Sequence, residues 1–560
     1  MKIIVRQLII IATVVFVSNF SPLVVSALSP VSTQLFTLPS RDQSIDKTAI
    51  KFSPNGKRFW YLSKQDDMYT LVVDGKDIQT GKQEIQSFAF SPDSKHYAYV
   101  TSDEQGRFFV VFDGTPNPMK YTAILSGGEL DGLLDNRPFL QFSDTGGHYT
   151  YVGHRIENEK DPVMYVVIDG TEQKVENRLS RVGRPVLSHD GNHHGYIAFE
   201  QFGSQANTTE NLKEFEIGNL IVDVEFQKML LAEEIKNAQV IYDGKIIKTQ
   251  TSKESALLPI PVLAGIALNP AGNHYAYITF LPNNKRAVWR GGRIGPAYDF
   301  VSSLTFNDSG TSFAYIGSKG KKWYVVFNDR VISKHSDKTF VLDLKLSSDG
   351  KHIGYRVGTS DIYIDGKKKI GSNTGHEYKV LQAGSAGIFY AVPEMHVLQE
   401  FERGSSSSME GVLRYNNTVD NKSVAIDSHL VYASTSDAGR AYIGYDISQR
   451  KKECYTKSPC IYSVNNPPRV VVVNGKVKEK IPYGFSVTDL VISPHGKHYG
   501  YILYQSAAVA DQEKWKLVVD GKDVNHYPYL SNLQFIDENT VNFNDVNGIS
   551  VWSGIYSIAK

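Results

Sequence analysis

Six histidines stand at one place in a recurring phrase: His96, His148, His193, His274, His352 and His498. Imidazole titrates near neutral pH and is the commonest metal ligand, so a column of histidines invites a metal or acid–base reading. That chemistry requires ring nitrogens to converge. Equivalent places in successive repeats are spread along an array instead, so the column cannot share one ion. The tightest local group, His189, His193 and His194, is the best metal candidate, yet Asp190-Gly191-Asn192 inside it reads as a turn. The histidines are therefore expected to be structural, with no metal, no cofactor and no catalytic residue assigned.

Arginines give the next possibility. Arg155, Arg286, Arg290 and Arg293 could grip a carboxylate, and Asp144-Thr145-Gly146 and Asp308-Ser309-Gly310-Thr311 weakly resemble the Asp-x-Gly turns of secreted sialidases. A sialidase also needs a tyrosine nucleophile with an acidic partner, and nothing in the spacing implies that these groups meet. Paired carboxylates for glycoside hydrolysis cannot be located either. Gly-x-Ser-x-Gly, His-Glu-x-x-His and Gly-x-x-x-x-Gly-Lys do not occur, which argues against a serine hydrolase elbow, a zinc-peptidase helix and a phosphate loop. The two cysteines, Cys454 and Cys460, lie six residues apart; in an oxidising compartment they are expected to form a disulfide closing a small loop.

The elements that must position these residues come from repetition. Phe90–Tyr99 (FSPDSKHYAY) returns as Ile492–Tyr501 (ISPHGKHYGY), and Leu71–Lys76 (LVVDGK) returns as Leu517–Lys522. Versions of the first phrase also begin at Phe52, Phe142, Leu187, Leu268, Phe306 and Leu346, and degenerate ones at Leu381, Ser436 and Phe535. Each unit reads as four short strands. The Ser-Pro-Asp-Gly type turn joins the first two, and the Asp-Gly turn, which favours positive φ at both central residues, joins the last two. Four antiparallel strands repeated radially predict an all-β fold, a β-propeller of about eleven blade-like units.

Ser-Pro-Asp-Gly-Lys followed by an aromatic strand resembles the WD40-like, or TolB-like (PD40-type), β-propeller repeat of exported bacterial proteins. The resemblance covers nearly the whole chain after its N-terminus, although the Gly-His and Trp-Asp pairs of true WD40 repeats are missing. It implies a propeller fold and leaves function open, because binding scaffolds and accessory domains of peptidases share the repeat. Eleven units exceed the usual four to eight blades of one ring. Two propellers are therefore expected, 28–299 and 300–560 with the boundary somewhere in 255–345; one large ring is the alternative. Leu257-Leu258-Pro259-Ile260-Pro261 is the most linker-like stretch.

Sixty basic residues against fifty-nine acidic ones leave a net charge of +1, no field for steering toward nucleic acid. Lys2 and Arg6 precede the apolar run Leu8–Val17, and Val25-Ser26-Ala27 offers a cleavage site, so residues 1–27 read as a signal peptide. The mature protein is expected to be exported, periplasmic or extracellular, with no integral membrane segment after cleavage.

Strand order also distinguishes two faces. The two stereotyped turns fall on one face, and the connection between second and third strands opens on the other. That connection varies, with insertions near 200–237, 395–410 and 448–468. Long loops on a rigid scaffold carry much of binding, so recognition of a protein or glycan is expected on the variable face. Within the first insertion, residues 227–237 read as a helix. The expected function is a non-catalytic binding scaffold; the competing one is a propeller enzyme acting on extracellular carbohydrate, as a glycosidase or lyase.

Overall fold

The computed structural model describes residues 29–558 except 84, 125–139, 158–161, 177–178, 180, 203–232, 259–264, 283–284, 337–340, 359–360, 371–379, 385–386, 395, 400–409, 416–417, 420–423, 428–432, 436–438, 447, 449–450, 454–460, 466–467, 483–484, 506–514 and 548. The signal segment and both cysteines lie outside the described residues. Regular structure among the described residues is strand, apart from the short 3-10 turns Ser40–Asp42 and Lys47–Ala49.

Each phrase pair folds into an antiparallel meander. In the first sheet, Lys51–Phe52, Phe59–Gln65, Met68–Val73 and Lys76–Gly81 pair in sequence order. The same order holds in the second (87–116), fifth (266–294), sixth (300–336), seventh (341–370) and penultimate (485–527) sheets. The third (123–174) and fourth (181–258) differ in splitting the first strand in two. Residues after each Asp-Gly turn can reverse at once because both turn residues take positive φ, for example Asp113 at 46° and Gly114 at 79°.

Neighbouring sheets share cores through one recurring contact. An aliphatic on the third strand packs against the aromatics of the next sheet's second strand: Val73 with Tyr97 and Tyr99, Val110 with Tyr149 and Tyr151, Val325 with Tyr355, Val471 with Tyr499 and Tyr501. Fully burying such side chains stabilises by roughly 1.5–3 kcal/mol each relative to exposure. Such stacking of four-stranded meanders is the β-propeller architecture the repeat predicts. The fifth, sixth and seventh sheets are joined by the same type of core: Ile278 and Val288 with Phe313 and Tyr315, then Ala314 and Ile316 with Ile353.

The last sheet takes its fourth strand from the other end of the chain. Leu530–Asp537, Thr540–Asn547 and Ser550–Ser557 are completed by Val31–Thr37, paired antiparallel to Ser550–Ser557. Val546 and Val551 then share a core with Phe59 and Tyr61 of the first sheet. A polar latch supplements this core. Asn532, Gln534, Asn542 and Asn544 donate their amides to four consecutive carbonyls, those of Ser53, Pro54, Asn55 and Gly56.

Two local expectations are corrected. Glu233–Asn237 belong to the strand Glu233–Tyr242 and not to a helix, because they continue a ladder with Gln201, Phe202 and Leu257. Ladder hydrogen bonds to two neighbours outweigh the few tenths of a kcal/mol by which Glu and Ile differ in helix propensity. Leu257 and Leu258 likewise end the strand Lys245–Leu258 and are not part of a linker. Between 380 and 480 the units merge: the strand Val424–Asp427 pairs with Glu410–Tyr415 on one side and Arg440–Asp446 on the other, giving a nine-stranded sheet.

Candidate functional site

A meander puts its first and third turns at the same end, so both stereotyped phrases lie on one face. Here the histidine column finds its role. His96 Nδ1 lies 2.6 Å from Asp113 Oδ2, and the other oxygen of Asp113 accepts the Tyr97 N–H at 2.9 Å. The same clamp joins His148 to Asp169, His193 to Asp243, His352 to Asp365 and His498 to Asp520, at 2.6–2.9 Å. One carboxylate thus ties the two turns of its own sheet together. In the first sheet Arg58 replaces histidine and meets Asp74 at 2.8 Å. His274 has no such aspartate because Gly291-Gly292 forms its turn.

His193 and His194 of the local cluster both approach Asp243, whereas His189 turns to Asp144 of the neighbouring sheet. His189 meets Asp144 at 3.0 Å, His193 meets Asp243, and His194 Nε2 meets Gln173 at 2.9 Å. Burial holds the His194 imidazole below its ordinary pKa. Adjacent turns also interlock. Gly191, at φ +80°, faces the His148 side chain so closely that a Cβ would come within 2.5 Å of it.

The arginines do not form one cluster. Arg155 lies in the third sheet, whereas Arg286 and Arg290 share the strand Lys285–Arg290 of the fifth and Arg293 follows it. Arg155 does gather a network at the junction of the second and third sheets. Its guanidinium is 4.1 Å from the Tyr165 ring centroid, 2.7 Å from Glu172 and 3.3 Å from Glu157. Tyr121 donates to Glu172 at 2.6 Å, Tyr165 donates to Glu157, and Lys174 meets Glu157 at 2.7 Å. Lys174 and the Tyr165 hydroxyl hold the Glu157 carboxyl at about 2, while burial and the bond to Glu157 push the Tyr165 phenol up. Sequence spacing hid this network because Arg155 reaches Glu172 diagonally, across the strand Pro162–Ile168 that separates them.

The opposite face is built differently. In the fourth sheet the second, third and fourth strands lengthen to His194–Phe202, Glu233–Tyr242 and Lys245–Leu258, forming a three-stranded ribbon that leads to 203–232. Parts of the other two insertions meet. His396–Gln399 pairs in parallel with Tyr462–Asn465, and Ile461–Ser463 pairs antiparallel with Lys451–Glu453, making an accessory sheet outside the blade pattern. Sequence reading located these departures but not that two of them join.

No known family profile matches the chain. Eighty-four residues, 14% of the chain, are 36% identical to the guanine nucleotide-exchange factor SEC12 of Candida glabrata, and they span 18% of that relative's length. A eukaryotic initiation factor structure overlays on 88% of the chain and 89% of its own, at 10% identity and a TM-score of 0.32. The β-propeller domain of the Trilobed protease from Pyrococcus furiosus overlays on 61% of the chain and 95% of its own, at 12% identity and a TM-score of 0.24. An acylaminoacyl peptidase from Pyrococcus horikoshii covers 67% of the chain and 59% of its own, at 9% identity and a TM-score of 0.25.

Proposed function

We propose that this chain is an exported, non-catalytic β-propeller scaffold of the TolB-like (PD40-type) repeat class that recognises a protein or glycan through its variable face. The observation that carries the reading is the division between faces. Five histidine–aspartate pairs of the stereotyped face are spent on clamps within single sheets. The insertions add a ribbon and an accessory sheet on the other side. Export rests on the N-terminal pattern of Lys2, Arg6 and the apolar run that follows. A Cys454–Cys460 disulfide, read from the six-residue spacing alone, would suit an exported chain. Shared cores from the fifth to the seventh sheet and the pairing of Val31–Thr37 with Ser550–Ser557 favour one closed array over two rings.

The test is capture from the exported fraction with the intact protein and with a variant in which 203–232 is replaced by a short Gly-Ser linker. Loss of a specific partner in the variant, with the thermal midpoint unchanged, supports the reading. Equal recovery counts against this insertion. The rival reading, a glycosidase, is favoured by one observation, the meeting of Arg155, Glu157, Glu172 and Tyr165. Hydrolysis of chromogenic glycosides that disappears in Glu157→Gln would establish it.

A further inference from the structure

Counting five residues back from the turn between third and fourth strands defines a slot facing the next sheet. It holds Tyr69, Phe108, Met164, Ala238, Trp323 and Trp515 in six sheets; in the seventh the count falls on Ser360, outside the described residues. In the fifth sheet it holds Arg286. The backbone is unchanged: Phe108 exchanges two hydrogen bonds with Tyr121 at 2.8 Å, and Arg286 exchanges two with Tyr298 at 2.7 Å. Only the side chain departs from the apolar rule. The slot lies beside the connection between second and third strands, hence on the variable face.

Arg286 is 3% exposed, and among the described residues its Nε has no hydrogen-bond partner. Burying an uncompensated charge costs several kcal/mol, so a buried arginine ordinarily carries a partner. The one other arginine in this slot, Arg469, has one: it donates to the Phe485 carbonyl. Asp299 acts on Arg286 electrostatically, while its two oxygens accept from Lys285 and from the Gly320 N–H at 2.6 Å. Lys319, on the hairpin tip of the sixth sheet, adds positive charge beside the same aspartate. Three cations therefore face one anion that is already paired. Desolvation lowers the Arg286 pKa to about 10, which leaves it charged at neutral pH.

We propose that the junction of the fifth and sixth sheets is an oxyanion-binding site, with Arg286 as the anchor and Lys285 and Lys319 at its rim. Its ligand is a carboxylate or phosphate group whose paired oxygens match the planar guanidinium. The group is carried by whatever occupies the variable face. The site stands apart from the identity of that partner, so its test needs none.

The test compares thermal midpoints in chloride, acetate and inorganic phosphate at matched ionic strength, for the intact protein and for Arg286→Met, which copies Met164 of the third sheet. Phosphate stabilises many folds by exclusion from their surfaces, an effect both proteins share. The site predicts an additional rise of about 1–3 °C that only the intact protein shows. A rise in phosphate alone marks a phosphoryl ligand, and one in acetate as well marks a carboxylate. In chloride, Arg286→Met should melt no lower than the intact protein, because the variant buries no charge. The proposal is overturned if neither anion adds to the midpoint, if Arg286→Met responds equally, or if that variant melts lower in chloride, which would make Arg286 a structural residue.

Discussion

The two faces of this propeller are made from the same strands and are held by opposite means. On the stereotyped face five sheets are closed from within, by an aspartate that grips a histidine and the following backbone N–H, and turns such as Gly191 are fitted against the turn of the preceding sheet. On the variable face the connections have lengthened into a ribbon, an accessory sheet and a charged junction. A side chain whose bonding capacity is filled by its own repeat has little left for a ligand. The difference teaches where to look for function in a repeat protein: away from its most conspicuous residues.

The largest expected effect on this contrast lies in the latch of the stereotyped face. Asn542→Leu with Asn544→Leu leaves the half-buried Asn55 carbonyl and the buried Gly56 carbonyl without their amide donors. Each unmet group costs about 1–3 kcal/mol, so together about 2–6 kcal/mol should be lost in denaturant unfolding. A smaller loss would mean that the apolar core alone holds the last sheet to the first.

Glycines sharpen the comparison next. Gly191→Ala combines a φ of +80° with a Cβ driven into His148, for an expected cost of about 2–4 kcal/mol. Gly320→Ala, on the variable face at φ +58°, meets nothing within 4 Å and should cost only about 1 kcal/mol. Equal costs would erase the distinction between an interlocked face and an open one.

Asp113→Ala removes both bonds of one clamp and should cost about 1–3 kcal/mol. Asp144→Ala, whose contact with His189 is solvent-exposed, should cost no more than about 0.5 kcal/mol. The smallest effect is a pH dependence. Against some desolvation, the His495 N–H, the Ser493 hydroxyl and the Lys497 N–H hold the Glu538 carboxyl at about 2, below its usual 4.5. A depressed carboxylate stabilises fully above its unfolded pKa and less as pH falls through the folded one. Acid titration should therefore loosen the penultimate and last sheets between about pH 4.5 and 2, and Glu538→Gln should flatten that part of the curve.

Much of this was legible in the sequence for a physical reason: turns with positive φ and alternating aromatic strands repeat because every unit solves the same packing problem. The strands, their order and the division into faces follow from that. The closing strand Val31–Thr37 was not legible, since its partner lies at the far end of the chain and its own pattern is no blade phrase. Arg286 was visible as an arginine but not as an anomaly, which emerges only when its slot is compared across sheets. Of 227–237, residues 233–237 misled because Glu and Lys suit a helix in isolation, while their pairing with Gln201 and Phe202 joins residues more than thirty apart; 227–232 lie outside the described residues.

The central claim is that recognition belongs to the variable face. It is tested most directly by one capture experiment on the exported fraction with two matched variants. One replaces 203–232 with a Gly-Ser linker; the other changes exposed residues of the stereotyped turns, Lys95, His189, Lys351 and His495, to serine. The account predicts that a partner enriched by the intact protein falls at least about tenfold with the first variant, a shift of about 1.4 kcal/mol, and is retained by the second. Retention by the first and loss by the second would contradict it.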